Sequence, residues 1–226
     1  LHSDSLENHR DHYDGTRLGF NPTIKIKMNE STTLDLSYEY ADHERYIDRG
    51  IPTENGEPVE RFEKITFGGD DNLTTLKANI LRATLSKVFS DTRKGNLSIV
   101  SSDFEKMYKN YYASGYTAGA TVVTMDGYLD PTERENTIIS GNIVNEVGNH
   151  TLLVGVELID TTNENFRYNT FWSTTSDDNE VFNITRPMDF SVNSAGVATS
   201  NDYTADLKSK TLSLIHISEP TRPIHI

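Results

Sequence analysis

Hydrophobic and polar residues alternate along several stretches of this chain, and the clearest stretch spans residues 33–40. Its apolar positions are Leu34, Leu36, Tyr38 and Tyr40. The residues between them are polar, so the pattern repeats at every second residue and predicts a β-strand with one apolar and one polar face. At Asp42 the alternation stops, and a polar segment containing Pro and Gly continues to about residue 75. This segment is far longer than an ordinary hairpin loop.

The same alternation predicts further strands, which are joined in turn by short turns and long polar segments. The predicted strands span residues 22–28, 33–41, 76–89, 93–112, 135–147 and 151–160. The short turns lie at 29–32, 90–92 and 148–149, and the long segments at 42–75, 113–133 and 161–206. Residues 1–17 are expected to hold the end of a preceding strand and a loop. Outer-membrane barrels place short turns at one end and long loops at the other, whereas a soluble sandwich has no reason to do so.

Composition narrows the classes of function. No apolar run approaches the roughly 18 residues of a membrane helix, which excludes a helical membrane protein. A barrel remains possible at 35% hydrophobic residues, because only every second residue of its strands needs to be apolar. A formal charge of −13 without a Lys/Arg-rich run argues against nucleic acid as a partner. No catalytic, metal-ligand or phosphate-loop motif is found, so we expect no enzyme, no cofactor and no metal site.

The two ends of the chain carry their own signals. The segment 212–222, LSLIHISEPTR, resembles the translation of a transposon-type sequencing adapter. We therefore interpret residues 212–226 as an artefactual tail and residues 1–211 as the part that folds. The chain starts at Leu1 with no signal peptide, and we expect it to be an internal piece of a longer protein.

Eight short segments together resemble TonB-dependent siderophore receptors, and the catecholate-type iron receptors most of all. The segments are residues 10–12 (RDH), 21–23 (NPT), 36–40 (LSYEY), 48–58 (DRGIPTENGEP), 103–112 (DFEKMYKNYY), 134–136 (REN), 150–157 (HTLLVGVE) and 165–167 (NFR). They occur in unbroken order over roughly residues 11–170 with compatible spacing. Each is weak alone, and their order and spacing make the resemblance specific.

The resemblance implies an all-β fold, an antiparallel up-and-down meander. The chain would form about six or seven strands from the middle of a transmembrane barrel of about 22 strands. Apolar side chains would face outer-membrane lipid, and polar ones would face the lumen. Receptors of this family lie in the outer membrane of Gram-negative bacteria. They import ferric siderophores with energy from the TonB complex, which they contact through an N-terminal region that this chain lacks.

Ligand contacts are expected in the long loops, because ferric catecholates are anionic and aromatic and call for cations and aromatic faces. The candidates are Arg45, Tyr46 and Arg49 in the first loop, Tyr108, Tyr111 and Tyr112 at the second, and Arg167, Tyr168 and Trp172 at the third. The tyrosines could instead form an aromatic girdle at the lipid interface. Arg45 and Arg49 could instead pair with nearby carboxylates at Asp42, Glu44 or Asp48. The first loop holds nine Asp/Glu against four Lys/Arg between residues 42 and 75, which disfavours a strongly anion-attracting surface.

Two other readings of the pattern stay open. A diffusion porin has a similar strand pattern but lacks the N-terminal plug that the resembled receptors carry. It would need basic and acidic side chains facing each other at a constriction. A soluble all-β binding domain would turn Leu34, Leu36, Tyr38 and Tyr40 towards a core. That version predicts a cooperatively folding monomer that is soluble without detergent.

Overall fold

The protein is an all-β chain with long strands. The computed structural model describes residues 2–7, 9–69 and 72–217, with the backbone alone described at 205–209 and 212–217. Its strands are β1 His2–Glu7, β2 Asp14–Phe20, β3 Thr23–Asn29, β4 Thr32–Tyr46, β5 Thr53–Glu54, β6 Glu57–Pro58, β7 Leu73–Ser90, β8 Arg93–Gly115, β9 Val122–Val147, β10 His150–Trp172, β11 Glu180–Asn183 and β12 Asn201–Ile217. A single 3-10 turn spans Glu60–Phe62. In the described ranges, no helix has the length and apolarity needed to cross a membrane.

One antiparallel sheet contains ten of these strands. Its order is β1-β2-β4-β7-β8-β9-β10-β12, with β3 beside β4 and β11 beside β9, and β5 and β6 form a separate hairpin. Strands β2 and β3 both pair with β4, and Pro22 lies in the break between them, where its missing N–H cannot continue a ladder. Strands β2 and β3 occupy one position beside β4. The sheet therefore has eight strand positions, whereas six or seven strands were predicted. The antiparallel meander is confirmed.

The register separates apolar from polar rows of side chains. One row across the sheet reads Leu36, Ala83, Ile99, Ile139 and Leu158. The adjacent row reads Asp35, Thr84, Ser98, Ser140 and Glu157. Successive residues of a strand point to opposite sides, so the first row lies on what we call the apolar face and the second on the polar face. The predicted separation of the two faces is confirmed.

The apolar face is open over the half of the sheet nearest the short turns. Its exposed fractions include 54% for Leu81, 48% for Leu97 and 62% for Val154. On β7 the apolar positions run from Leu81 to Phe89, about nine residues, which matches the length of a strand crossing the hydrocarbon layer. A continuous apolar surface of this kind marks a site of contact with lipid or another protein.

Where the apolar positions end, a polar hydrogen-bond chain begins on the same face. The Tyr38 hydroxyl donates to Asn79 Oδ1 at 2.6 Å, and Asn79 Nδ2 donates to Asp103 Oδ2 at 2.8 Å. Tyr38 therefore has its ring beside the apolar rows and its hydroxyl among polar groups. This arrangement suits an aromatic residue at a membrane interface, where one end is apolar and the other is wet.

The strands continue well beyond the limits that the sequence predicts. Strand β4 extends to Tyr46 instead of stopping at residue 41, and β10 extends to Trp172 instead of residue 160. Strand β9 begins at Val122, not at residue 135, so the predicted long loop 113–133 is wrong. Only residues 116–121 connect β8 to β9. In these extensions the strands are held by the ladder of backbone hydrogen bonds, which continues without an alternating sequence.

The two ends of the chain also differ from expectation. Residues 1–17 were expected to hold a strand end and a loop, but β1 is followed there by the start of a second strand, β2. At the other end, the backbone of 212–217 pairs with residues 157–162 of β10. Residues 218–226 lie outside the described part of the chain, and the artefactual origin of 212–226 stays a prediction.

Two loops cover the apolar face at the end away from the short turns. Residues 47–69 and 173–200 close over β8, β9 and β10 there and form the buried core with them. Its side chains are Val59, Phe62, Ile65, Phe67, Tyr111, Val123, Met125, Trp172 and Phe182. By register, Tyr111, Met125 and Trp172 belong to the apolar face. Because the core occupies that face, the polar face of the same strands presents the functional side chains described next.

Candidate functional site

Five side chains meet on the polar face near the long loops, and we call them the tyrosine–arginine cluster. They are Arg49, Tyr108, Tyr112, Tyr128 and Arg167. Strands β8 and β9 supply the three tyrosines. Tyr128 of β9 pairs with Asn110 of β8, and Tyr108 and Tyr112 lie two positions before and after Asn110. Arg49 comes from the loop after β4, and Arg167 comes from β10.

The Arg49 guanidinium lies among the three tyrosines. Its Nη1 donates to the Tyr108 hydroxyl at 3.2 Å and to the Tyr128 hydroxyl at 3.1 Å. Its Cζ lies 5.1 Å from the centre of the Tyr112 ring, within the range of a cation–π contact. The Tyr108 and Tyr128 rings stack at 5.9 Å between centroids. Arg49 is thus fixed in place by neutral aromatic groups.

The two arginines of the cluster differ in charge compensation. Arg167 forms a two-point ion pair with Asp130, with Nε–Oδ1 at 2.8 Å and Nη2–Oδ2 at 2.5 Å, and its Cζ lies 4.4 Å from the Tyr128 ring centre. Arg49 is exposed and forms an ion pair with none of the described residues. The positive charge of Arg49 is therefore available to an anion, whereas that of Arg167 is largely compensated.

Tyr112 of the cluster is held in its neutral form at physiological pH. Burial raises the pKa of Tyr112 to about 12, and the hydrogen bond that its hydroxyl donates to Asp126 at 2.7 Å adds to the effect. The hydrogen bond to Tyr108 raises the pKa of Arg49, so its cation is favoured further. A cation beside phenol side chains can bind a flat anionic ligand by ion pairing, ring contact and hydrogen bonds.

The turn that carries Arg49 is held by its neighbours. Arg10 Nε forms an ion pair with Asp48 Oδ2 at 2.7 Å, and both side chains are 13% exposed. The other Asp48 oxygen accepts a hydrogen bond from the Gly50 amide at 2.9 Å. Gly50 has a φ of 89°, a conformation that favours glycine. Asp48 is thus bound to Arg10. In the described residues neither Arg45 nor Arg49 forms the alternative ion pair with Asp42, Glu44 or Asp48.

The candidates predicted from sequence fall into three groups. Arg49, Tyr108, Tyr112 and Arg167 lie together in the cluster. Tyr46, Tyr111 and Trp172 are 2%, 5% and 1% exposed and pack in the interior. Arg45 lies on the polar face of β4, outside the cluster, and Tyr168 lies on the apolar face, stacked on Phe166. For all of these candidates, contact with a ligand stays a prediction.

Sequence reasoning missed Tyr128 and its acidic neighbours Asp126 and Asp130. They lie in residues 113–133, which were assigned to a loop because of their glycines and Pro131. A usable signal was present, because Val123 and Met125 alternate with polar residues in this segment. In the described ranges, no group of three or more His, Asp or Glu side chains is placed to hold a metal ion.

Comparison of whole folds finds siderophore receptors. The siderophore receptor PiuA from Acinetobacter baumannii matches 94% of this chain with a TM-score of 0.66 at 15% identity. BauA, the ferric preacinetobactin receptor of the same species, matches 97% with a TM-score of 0.63 at 11% identity. The open form of Fiu, the ferric-catecholate import receptor of E. coli K12, matches 92% with a TM-score of 0.61 at 13% identity.

The likeness to these receptors is one of fold and covers part of their length. The chain spans 44% of the Fiu chain, 37% of the BauA chain and 34% of the PiuA chain. No family model and no curated protein sequence matches the chain. The fold is therefore that of a portion of a receptor β-barrel.

Proposed function

We propose that this chain is part of the barrel of an outer-membrane receptor that imports ferric siderophores with energy from the TonB complex. The observation that carries the proposal is the uncompensated Arg49 cation, held among three tyrosines on the polar face. The fold likeness to siderophore receptors supports the same conclusion, as does the exposed apolar face on the opposite side. In this proposal the apolar face contacts outer-membrane lipid, and the polar face lines the lumen.

The geometry supports a catecholate-type ligand in particular. Catecholate oxygens carry negative charge and accept hydrogen bonds, and catechol rings are flat. Arg49 offers the charge, and the hydroxyls of Tyr108 and Tyr128, which accept hydrogen bonds from Arg49, can donate their own protons to ligand oxygens. The stacked tyrosine rings offer faces for ring contact. That Fiu imports ferric catecholates agrees with this choice.

The role of the cluster is to bind and orient, and the driving force for uptake comes from elsewhere. Within the described residues, the cluster holds charged and aromatic groups on long strands that pack against the buried core. Such a rigid support limits the entropy lost when a ligand binds. Contact with TonB would be made by a part of the receptor outside this chain.

Substitution of Arg49 by glutamine tests the proposal. We expect the receptor that contains this chain to bind ferric tris(catecholate) about tenfold to a hundredfold more weakly, because one charge-assisted interaction contributes about 1.5–3 kcal/mol. The measurement is a binding titration of the purified receptor in detergent. Arg61→Gln is the matched control, since Arg61 lies in the same loop but is paired with Glu54 at 3.6 Å.

The control variant should bind the complex as the wild type does. Tyr128→Phe, which removes one acceptor of Arg49, should give an intermediate loss of affinity. If Arg49→Gln and Tyr128→Phe both leave the affinity unchanged while the receptor remains folded, the cluster is not the ligand site and the proposal fails.

A further inference from the structure

A second group of cations lies on the polar face, beside the tyrosine–arginine cluster. It lines a pocket of about 320 Å3 between β2, β4, β7 and β8. The cations are Arg17, Arg45 and Lys106, and His43 lies between them. The register explains this meeting, because Arg17, His43, Leu76 and Lys106 form one row across the four strands. Arg45 lies in the next row on the same face.

These cations stand out because the chain carries a net charge of −13. Several other arginines are paired with carboxylates, such as Arg82 with Glu39 at 3.4 Å and Arg186 with Asp11 at 2.6 Å. In the described part of the chain, neither Arg17 nor Arg45 forms an ion pair. Glu44 also lines the pocket, and it is the only carboxylate among the lining residues. The pocket therefore has an excess of positive charge.

A glycine on β2 allows that strand to lie close to β4 beside Arg45. Gly15 lies directly opposite Arg45 on β2. A Cβ atom at this position would lie 2.8 Å from Arg45 Cβ and 2.8 Å from the Glu44 carbonyl oxygen, far inside normal contact distance. Glycine at position 15 therefore permits the close approach of β2 to β4 that places Arg17 and Arg45 on the same part of the polar face.

The pocket continues into the tyrosine–arginine cluster without a gap in the sheet. Arg45, Thr74 and Tyr108 share one row, so Tyr108 belongs to the cluster and borders the pocket. Lys106 Nζ lies 5.6 Å from the centre of the Tyr108 ring. Positive groups thus follow one another along the polar face from Arg49 past Tyr108 and Lys106 to Arg45.

We propose that Arg17, Arg45 and Lys106 form an anion-binding subsite for oxygen-rich ligands with more than one negative charge. Guanidinium groups bind carboxylate, phosphate and catecholate oxygens with paired hydrogen bonds, and a lysine adds a point charge. The inference rests on the proposed function in so far as that function places the polar face in the lumen. The anion is either the ferric complex itself or free phosphate, and the test separates the two.

The test uses the purified receptor containing this chain, titrated with inorganic phosphate and, separately, with ferric tris(catecholate). The variant is Arg17→Gln combined with Arg45→Gln. We expect its affinity for at least one probe to fall tenfold or more, and the wild-type affinity for that probe to fall as salt is raised. Arg82→Gln is the matched control, because it removes a cation from the same face where Glu39 already compensates it. Circular dichroism confirms that each variant is folded.

Each result decides a separate point. A loss confined to phosphate assigns the subsite to free phosphate, and a loss confined to the ferric complex assigns it to the transported ligand. Equal affinities in wild type, double variant and control for both probes would overturn the subsite. So would an equal loss in the control, because it would show a general charge effect. If Arg49→Gln and Tyr128→Phe both leave the affinity for ferric tris(catecholate) unchanged while the double variant loses phosphate binding, the proposed function fails and the subsite stands.

Discussion

Replacing Trp172 by alanine is expected to lower the free energy of local unfolding at the long-loop end by about 3–5 kcal/mol, the usual cost of removing a buried aromatic side chain. Trp172 is 1% exposed. Its ring centre lies 4.9 Å from that of Phe182 and 5.9 Å from that of Tyr111. Its Nε1 donates to the Asp178 carbonyl oxygen at 3.1 Å. The indole therefore joins the loop 173–200 to β8 and β10.

Hydrogen–deuterium exchange of residues 173–200 measures this loss, because amide protection reports local unfolding. Tyr168→Ala is a suitable control, as it removes an aromatic side chain from the same strand outside the core, and we expect its effect to be under about 1 kcal/mol. Unchanged protection in Trp172→Ala, combined with weaker ligand binding, would contradict the structural role. It would restore Trp172 as a ligand contact.

Replacing Asn72 by leucine is expected to cost about 3–5 kcal/mol at the same end of the sheet. The Asn72 side chain is fully buried. It donates to the carbonyl oxygens of Ile47 at 3.2 Å and Tyr111 at 2.9 Å, and it accepts from the Tyr111 amide at 2.7 Å. Leucine would leave these backbone groups buried without partners, at about 1–3 kcal/mol for each unsatisfied group. Asn72 ties the start of the Arg49 loop to β8, so Arg49 would also lose its fixed position.

The Asn72→Leu variant should show faster hydrogen exchange in residues 47–69 and weaker binding of ferric tris(catecholate). Asn110→Leu is the matched control. Asn110 is equally buried but donates one hydrogen bond, to the Tyr128 carbonyl oxygen at 3.2 Å, so we expect a clearly smaller loss. Equal losses in the two variants would show that burial alone, and not the three hydrogen bonds, makes position 72 sensitive.

Sequence predicted the strands best where they meet the apolar surface. In β4 the alternation from Leu34 to Tyr40 marks the strand, because its side chains separate there into one apolar and one polar face. The first half of β9 shows no such long alternation, and Pro131 and Gly127 lie there inside a paired strand. The sequence there looks like a loop, and only pairing with β8 makes it a strand. Element ends were therefore harder to predict than element order.

The site residues were predicted from residue type alone, and residue type did not show which of the candidates are buried. Tyr111 and Tyr112 are neighbours of the same type, yet adjacent residues of a strand point to opposite faces. Tyr111 enters the core, and Tyr112 joins the tyrosine–arginine cluster. The choice between these fates depends on which face the two long loops cover. That information lies in contacts between residues far apart in the chain, such as those between Phe62 and Tyr116 or Tyr111 and Trp172.

The most direct test of the account asks which face of the sheet meets lipid. The chain has no cysteine, so single cysteines from position 96 to position 101 of β8 can each carry a spin label in the reconstituted receptor. We predict that labels at Leu97 and Ile99 collide mainly with oxygen, which is concentrated in lipid, and labels at Asn96 and Ser98 mainly with a water-soluble relaxant. A period of two with this phase would support a barrel with lipid outside and a polar lumen inside. Equal access of the water-soluble relaxant to both faces, or the opposite phase, would contradict it.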